Sequence, residues 1–400
     1  MISADADRVF DPNDPEITRD PYPAYAKLRT DAPVSWNPRG FWFVSRFDDV
    51  RACLNDPRFS NRPAPFALVH QRNKDRFTAA DVANNLIAFQ DAPEHPPLRS
   101  WVARCFATHI RDCDTMLADC AQACVTQLPA GSFDAVGKFA LPFSAQAICR
   151  ILGFPVQDAA RVAAWSMDFF DLFHAIPDKA NFERLNQNLA DFRAYVLARI
   201  EQAKTQRDQG FISDLCAAAP AQTDTNVIAD NLMLLAADGV GNVQSGLTNC
   251  MAVLLRQQAL PAQLFASPKD RGMLVDECLR LESPGQYQGR ITLEDVAIGG
   301  MEIRAHSIVL LGLASANRDP EAFAAPTEFD PTRSRPQHLA FGNGAHMCLG
   351  NVLVRKEIGI ALQHLFGDGR QLRRIDPALD WLPRPGHRWL RSLNVAWDTP

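Results

Sequence analysis

Between residues 223 and 255 the chain holds an apolar pattern of helical period for about thirty residues, opened by the cap-forming group Thr223, Asp224, Thr225 and Asn226. At 1.5 Å rise per residue this is a rod on the order of 45 Å, long enough to cross a whole domain. The rest of the chain must be laid around it. Most other segments also repeat with helical period, with Pro and Gly at their boundaries. Strand-like alternation is confined to 33–36 and 41–46, which flank the turn Asn37-Pro38-Arg39-Gly40, to 291–314 with Gly299-Gly300 as its turn, and to 389–397, expected as one closing strand. The expected fold is mainly α with small β-sheets (α+β).

Hydrophobic residues make up 47% of the chain, enough to bury a large core. No linker, repeat or charge block divides it, so residues 1–400 are expected to form a single domain. Lys plus Arg number 41 against 46 Asp plus Glu, a net charge of −5, which argues against a general attraction to nucleic acid. The N-terminal Met1-Ile2-Ser3-Ala4-Asp5 shows no cleavable signal, and no run reaches the ~18 apolar residues of a membrane span. A soluble, cytoplasmic protein is expected. Ten cysteines scattered through periodic segments read as reduced and buried, with Cys113, Cys120 and Cys124 on one helical face as small core residues.

The middle of the long helix is unusual. Ala236-Ala237-Asp238-Gly239-Val240-Gly241-Asn242 sets two glycines and two polar residues inside an apolar run. Each glycine there costs roughly 1 kcal/mol against alanine, so it needs a reason, and a local bulge facing a ligand is one.

Near the C-terminal end lies Phe341-Gly342-Asn343-Gly344-Ala345-His346-Met347-Cys348-Leu349-Gly350. Gly342 and Gly344 free the backbone for positive φ, so the turn can press close to a flat cofactor and project Cys348 at a metal. The helical pattern at 352–365 would aim its first free N–H groups at the sulfur and favour the thiolate. Cys348 reads as a thiolate ligand for haem iron. A plain buried cysteine is the alternative, but six fixed residue types at fixed spacing match by chance below roughly 10⁻⁷ per start position. Zinc through His346 and Cys348 lacks a second ligand pair. A nucleophilic Cys348 with His346 as base matches no local signature of cysteine proteases.

Glu277 and Arg280 stand three apart on one helical face and can pair. Beside the Cys348 loop, this Glu-x-x-Arg element resembles that of the cytochrome P450 family, and the resemblance runs over nearly the whole chain. It implies the P450 fold, a triangular, helix-rich single domain enclosing haem b (iron protoporphyrin IX). In the same order, Asp91-Ala92-Pro93-Glu94-His95-Pro96-Pro97-Leu98-Arg99 resembles the bacterial entry to a haem-contacting helix. The resemblance gives His95, Arg99, Arg290 and His346 as donors to haem propionates, with Phe341 and Gly342 in the cofactor loop. Four donors around two buried carboxylates are physically reasonable, since unpaired buried acids are costly. Ala316-Asn317-Arg318-Asp319-Pro320 and Phe329-Asp330-Pro331-Thr332-Arg333 resemble the family's meander, and Arg333 would join Glu277 and Arg280 in a buried structural triad.

A thiolate axial ligand favours O–O cleavage. The resemblance therefore implies a monooxygenase or oxidase using O₂ on a small apolar organic substrate, with electrons from a separate ferredoxin or flavodoxin. Arg104, Arg355 and Lys356 are candidates to steer that acidic partner. The chain departs from the family's Ala-Gly-x-Asp/Glu-Thr run in the central helix. Gly241 stands at the acid position and Asn242 at the alcohol position. An amide donates hydrogen bonds but does not release a proton readily, so Asp238, four residues earlier on the same face, becomes the candidate proton source. Its alternative role is to satisfy backbone near the glycines. The departure points to proton relay through substrate groups or ordered water, or to oxidation beyond simple hydroxylation; the rival class is a haem-containing binding or sensor protein with little turnover. Aromatic residues at 165–173, segment 66–87 and the strand at 286–288 would border a pocket for a bulky apolar molecule, such as a terpenoid or other specialised metabolite.

Overall fold

The computed structural model describes residues 10–173, 178–206, 210–333, 338–367 and 371–397. These form two compact units, one from residues 1–60, 125–140 and 245–400, the other from 61–124 and 141–244. Helix dominates, with small sheets, in agreement with the expected class. Among the described residues no helix is long and apolar enough to cross a membrane.

The first unit carries the strands. Its largest sheet orders Val34–Asn37, Phe41–Val44, Ile308–Leu311, Gln288–Thr292 and Phe59–Ser60. The expected hairpin is its first pair, with Val34 opposite Val44 and Asn37 opposite Phe41. Val44, Leu311, Phe47 and Phe323 pack into one apolar core beneath it. Helix Pro268–Leu281 starts on a cap that its sequence supplies, with Ser267 Oγ accepting from Asp270 N at 3.2 Å and Pro268 in the first turn. It packs along helix Asn351–Phe366. The closing strand expected at 389–397 is two strands in different sheets. Leu390–Ser392 pairs with Asp380–Trp381, whereas Asn394–Trp397 lies between Ser132–Asp134 and Leu372–Arg374. Between them Leu393 N donates to Asp134 Oδ1 at 2.9 Å, outside either ladder, which breaks the run.

The second unit is helical, built from His95–Ile110, Leu141–Leu152, Ala159–Phe169, Lys179–Gln206 and the first two-thirds of the central helix. That helix, Thr225–Leu254, is 30 residues long and unbroken. The bulge expected at its glycines is absent. Gly239 has a different reason: a Cβ there would lie 2.5 Å from both Cδ1 and Cγ1 of Ile148, so the glycine lets helix Leu141–Leu152 approach this closely. Cys113, Cys120 and Cys124 are buried and unbridged, as expected.

Candidate functional site

The Cys348 loop closes on its own backbone. Gly342 N donates to Leu339 O and Cys348 N to Phe341 O, both at 2.8 Å. Gly342 and Gly344 take φ of +69° and +71°, the left-handed region that glycine reaches without Cβ strain. At Gly344 space decides as well, because a Cβ would lie 2.6 Å from Leu54 O at the end of helix Phe47–Asn55. Asn55 Nδ2 clamps the turn further by donating to Asn343 Oδ1 at 2.7 Å. Cys348 is half-buried and unbridged, two residues ahead of the cap residue Gly350 of helix Asn351–Phe366. Asn351 Nδ2 donates back to Cys348 O at 2.8 Å. A thiol held on a close-pressed loop at a helix N-terminus fits a thiolate ligand for haem iron.

Behind the loop stand two polar networks. Arg280 grips Glu277 through Nε at 2.8 Å and Nη2 at 2.7 Å, both residues being buried, and Arg333 Nε comes within 3.5 Å of Glu277 Oε1. Arg280 also donates to Asn317 O, Pro326 O and Glu328 O, so the triad ties the helix to the meander. The second network was not legible in the chain. Asp276 accepts from Arg355 Nε at 2.7 Å and lies 3.1 Å from His338 Nε2. Burial alone would raise its pKa, but His338 and Arg355 hold it below the usual carboxylate range. Arg355 also lies 4.6 Å over the Phe341 ring, so it braces the cysteine loop instead of standing as a free steering charge. Arg104 is exposed on its helix.

The candidate cofactor donors fall in both units. In the first, Arg290 lies on strand Gln288–Thr292, buried, and Nη2 donates to Gln288 Oε1 at 3.1 Å. His346, half-buried, ends the short turn Gly344–His346. In the second, His95 opens helix His95–Ile110 with Arg99 one turn on. Burial, then the Arg99 charge, lowers the pKa of His95 and keeps its ring largely neutral. Asp238, Gly241 and Asn242 share the central helix, where Asn242 Nδ2 donates to Asp238 Oδ1 at 3.2 Å. Surrounding protein withdraws enough water to push the Asp238 carboxyl up to about 7, against the Asn242 hydrogen bond, which lowers it.

Of the aromatic stretch, Trp165, Phe169 and Phe170 are buried, and Trp165 stacks on Phe192 at 5.1 Å. Phe173 is the exposed member, 37% accessible, with its ring 5.0 Å from that of Phe89. Among the described residues no group of three or more His, Cys, Asp or Glu is arranged to hold a metal ion, so a zinc cluster finds no ligand set there.

This helix-rich fold, with its cysteine loop and the paired Glu277 and Arg280 behind it, defines a haem-iron oxygenase. The cytochrome P450 family profile matches residues 272–367. The chain is similar to the vitamin D(3) 25-hydroxylase of Pseudonocardia autotrophica, 31% identical over 364 residues, covering 88% of this chain and 87% of the relative. It is also similar to the biotin biosynthesis cytochrome P450 of Bacillus subtilis, 29% identical over 392 residues, covering 96% and 98%. Among solved structures, CalO2 aligns with a TM-score of 0.88 at 29% identity over 97% of this chain and 98% of its own. The chain belongs to the cytochrome P450 family and is a P450 monooxygenase with a haem-iron cofactor.

Proposed function

We propose that this monooxygenase, acting as one domain over residues 1–400 in the cytoplasm, oxidises a bulky apolar small molecule of the terpenoid or specialised-metabolite kind. The reaction goes beyond simple hydroxylation, and an Asp238–Asn242 pair replaces the family's acid–alcohol pair. The hydrogen bond of 3.2 Å between Asn242 Nδ2 and Asp238 Oδ1, with the carboxyl pushed up to about 7, carries the relay, and Gly241 and Asn242 in place of an acid and an alcohol support the departure from simple hydroxylation. The name of the vitamin D(3) hydroxylase, a relative with a bulky apolar substrate, supports the substrate class.

Haem b, when bound, supplies the redox chemistry that activates O₂. Cys348 Sγ would be its iron ligand, Phe341 and Gly342 would shape the loop against it, and His95, Arg99, Arg290 and His346 would donate hydrogen bonds to its two carboxylates. Asp238 holds a proton at its carboxyl near neutral pH and exchanges it with water, while Asn242 orients it and offers a second amide N–H. Gly241 leaves the family's acid position without a side chain, which makes room for water or a polar substrate group. A separate ferredoxin or flavodoxin delivers electrons. Product formed per electron consumed tests the relay: Asp238→Asn and Asn242→Ala should each lower it severalfold while leaving haem content intact. Unchanged coupling in both variants removes the reading.

A further inference from the structure

On strand Gln288–Thr292, residues 288 and 290 point to the same face, as the two-residue period of a strand requires. Gln288 Oε1 accepts from Arg290 Nη2 at 3.1 Å, and Arg290 Nη1 is fixed on Gly289 O at 2.8 Å. The same amide lies close to the cysteine loop. A Cβ at Gly342 would sit 3.5 Å from Gln288 Nε2 and 3.7 Å from its Oε1, ordinary contact distances. One neutral side chain therefore bonds a candidate propionate cation and lies close to the glycine hinge of the thiolate loop, with room for a methyl group between them.

We infer that Gln288 is a positioning residue for the cofactor: it aims the Arg290 guanidinium at a haem carboxylate and fixes its distance from the Cys348 loop, without cancelling its charge. This rests on the reading of Arg290 as a propionate donor. The chemistry of the amide is what matters. A carboxylate at this position would form an ion pair with Arg290 and spend its charge inside the protein. An apolar side chain of the same length would keep the volume beside Gly342 but leave the guanidinium without this acceptor. The amide does neither. Because the amide is neutral, Gln288 takes nothing from the cation's attraction for the cofactor acid, which holds haem in place and favours the ferrous state.

The test uses the haem-loaded protein carrying Gln288→Met, Gln288→Glu or Arg290→Ala, and the double variant Gln288→Met with Arg290→Ala. Haem release is followed by transfer to excess apomyoglobin, and the midpoint potential by spectroelectrochemistry, with circular dichroism as a check on folding. Q288M should release haem about tenfold faster and show a more negative potential. Q288E should release haem at least as fast. The Q288M effect should disappear in the R290A background. Wild-type release and potential in Q288M would overturn the proposal and reduce Gln288 to filling space on the strand. So would a Q288M effect of undiminished size in the R290A background, or wild-type haem retention in Q288E. Wild-type release in R290A would remove the propionate reading itself, and the proposal with it.

Discussion

Gly239 offers a prediction whose sign the geometry decides. In an open helix, Gly239→Ala would stabilise by about 1 kcal/mol through backbone entropy. Here the added Cβ meets Ile148 Cδ1 and Cγ1 at 2.5 Å and its Cβ at 3.1 Å. The last distance matters most, because no side-chain rotation moves a Cβ, so the two helices must separate. Overpacking of this kind costs roughly 1–3 kcal/mol, which cancels or exceeds the helical gain. G239A should therefore be neutral to destabilised by about 2 kcal/mol, and the loss should fall on the unit holding both helices. Part of the obstacle can be removed: an Ile148→Ala background takes away Cγ1 and Cδ1 but keeps the Cβ at 3.1 Å, so the same substitution should cost less there than in the unaltered background. Urea unfolding of the four proteins in the cycle, followed by tryptophan fluorescence, measures this coupling. A stabilised G239A in the unaltered background would refute the close-packing account and return the glycine to a role at the ligand.

The raised carboxyl of Asp238 makes coupling depend on pH. The neutral acid is the donor, so product per electron should fall as pH rises through about 7, and D238N should flatten the profile. A profile that stays the same in D238N assigns the titration elsewhere. Glu277→Gln leaves the buried Arg280 without its counter-charge and should destabilise by roughly 3–5 kcal/mol, read from denaturant midpoints. Arg355→Ala should speed haem loss through the Phe341 loop while the salt dependence of electron delivery changes little. A lost salt dependence with normal haem retention would restore Arg355 as a steering charge. Gly344→Ala, facing Leu54 O at 2.6 Å with φ of +71°, should lower haem occupancy of the purified protein.

What could be read from the chain followed local rules. The central helix announced itself by its period and caps, and appears as Thr225–Leu254. The first hairpin was marked by its turn residues, and the Glu277–Arg280 pair by its spacing. What stayed hidden depends on partners distant in sequence. Residues 389–397 alternate smoothly, yet Leu393 donates to Asp134 and the run splits between two sheets. Gly239 looked like a ligand-facing defect because Ile148, its actual neighbour, lies 91 positions away. Arg355 looked like a surface cation because nothing local shows that Asp276 holds it. Gln288 carried no signal beyond its two-residue spacing from Arg290, and only the fold brings Gly342 near its amide.

The most direct measurement concerns the sulfur of Cys348. The reduced carbon monoxide complex of the intact protein should absorb with the red-shifted Soret band that marks thiolate ligation, and Cys348→Ala should abolish that band while the apoprotein keeps its helical circular dichroism. A red-shifted band surviving in C348A, or absent from the intact, haem-loaded protein, would contradict the account at its centre.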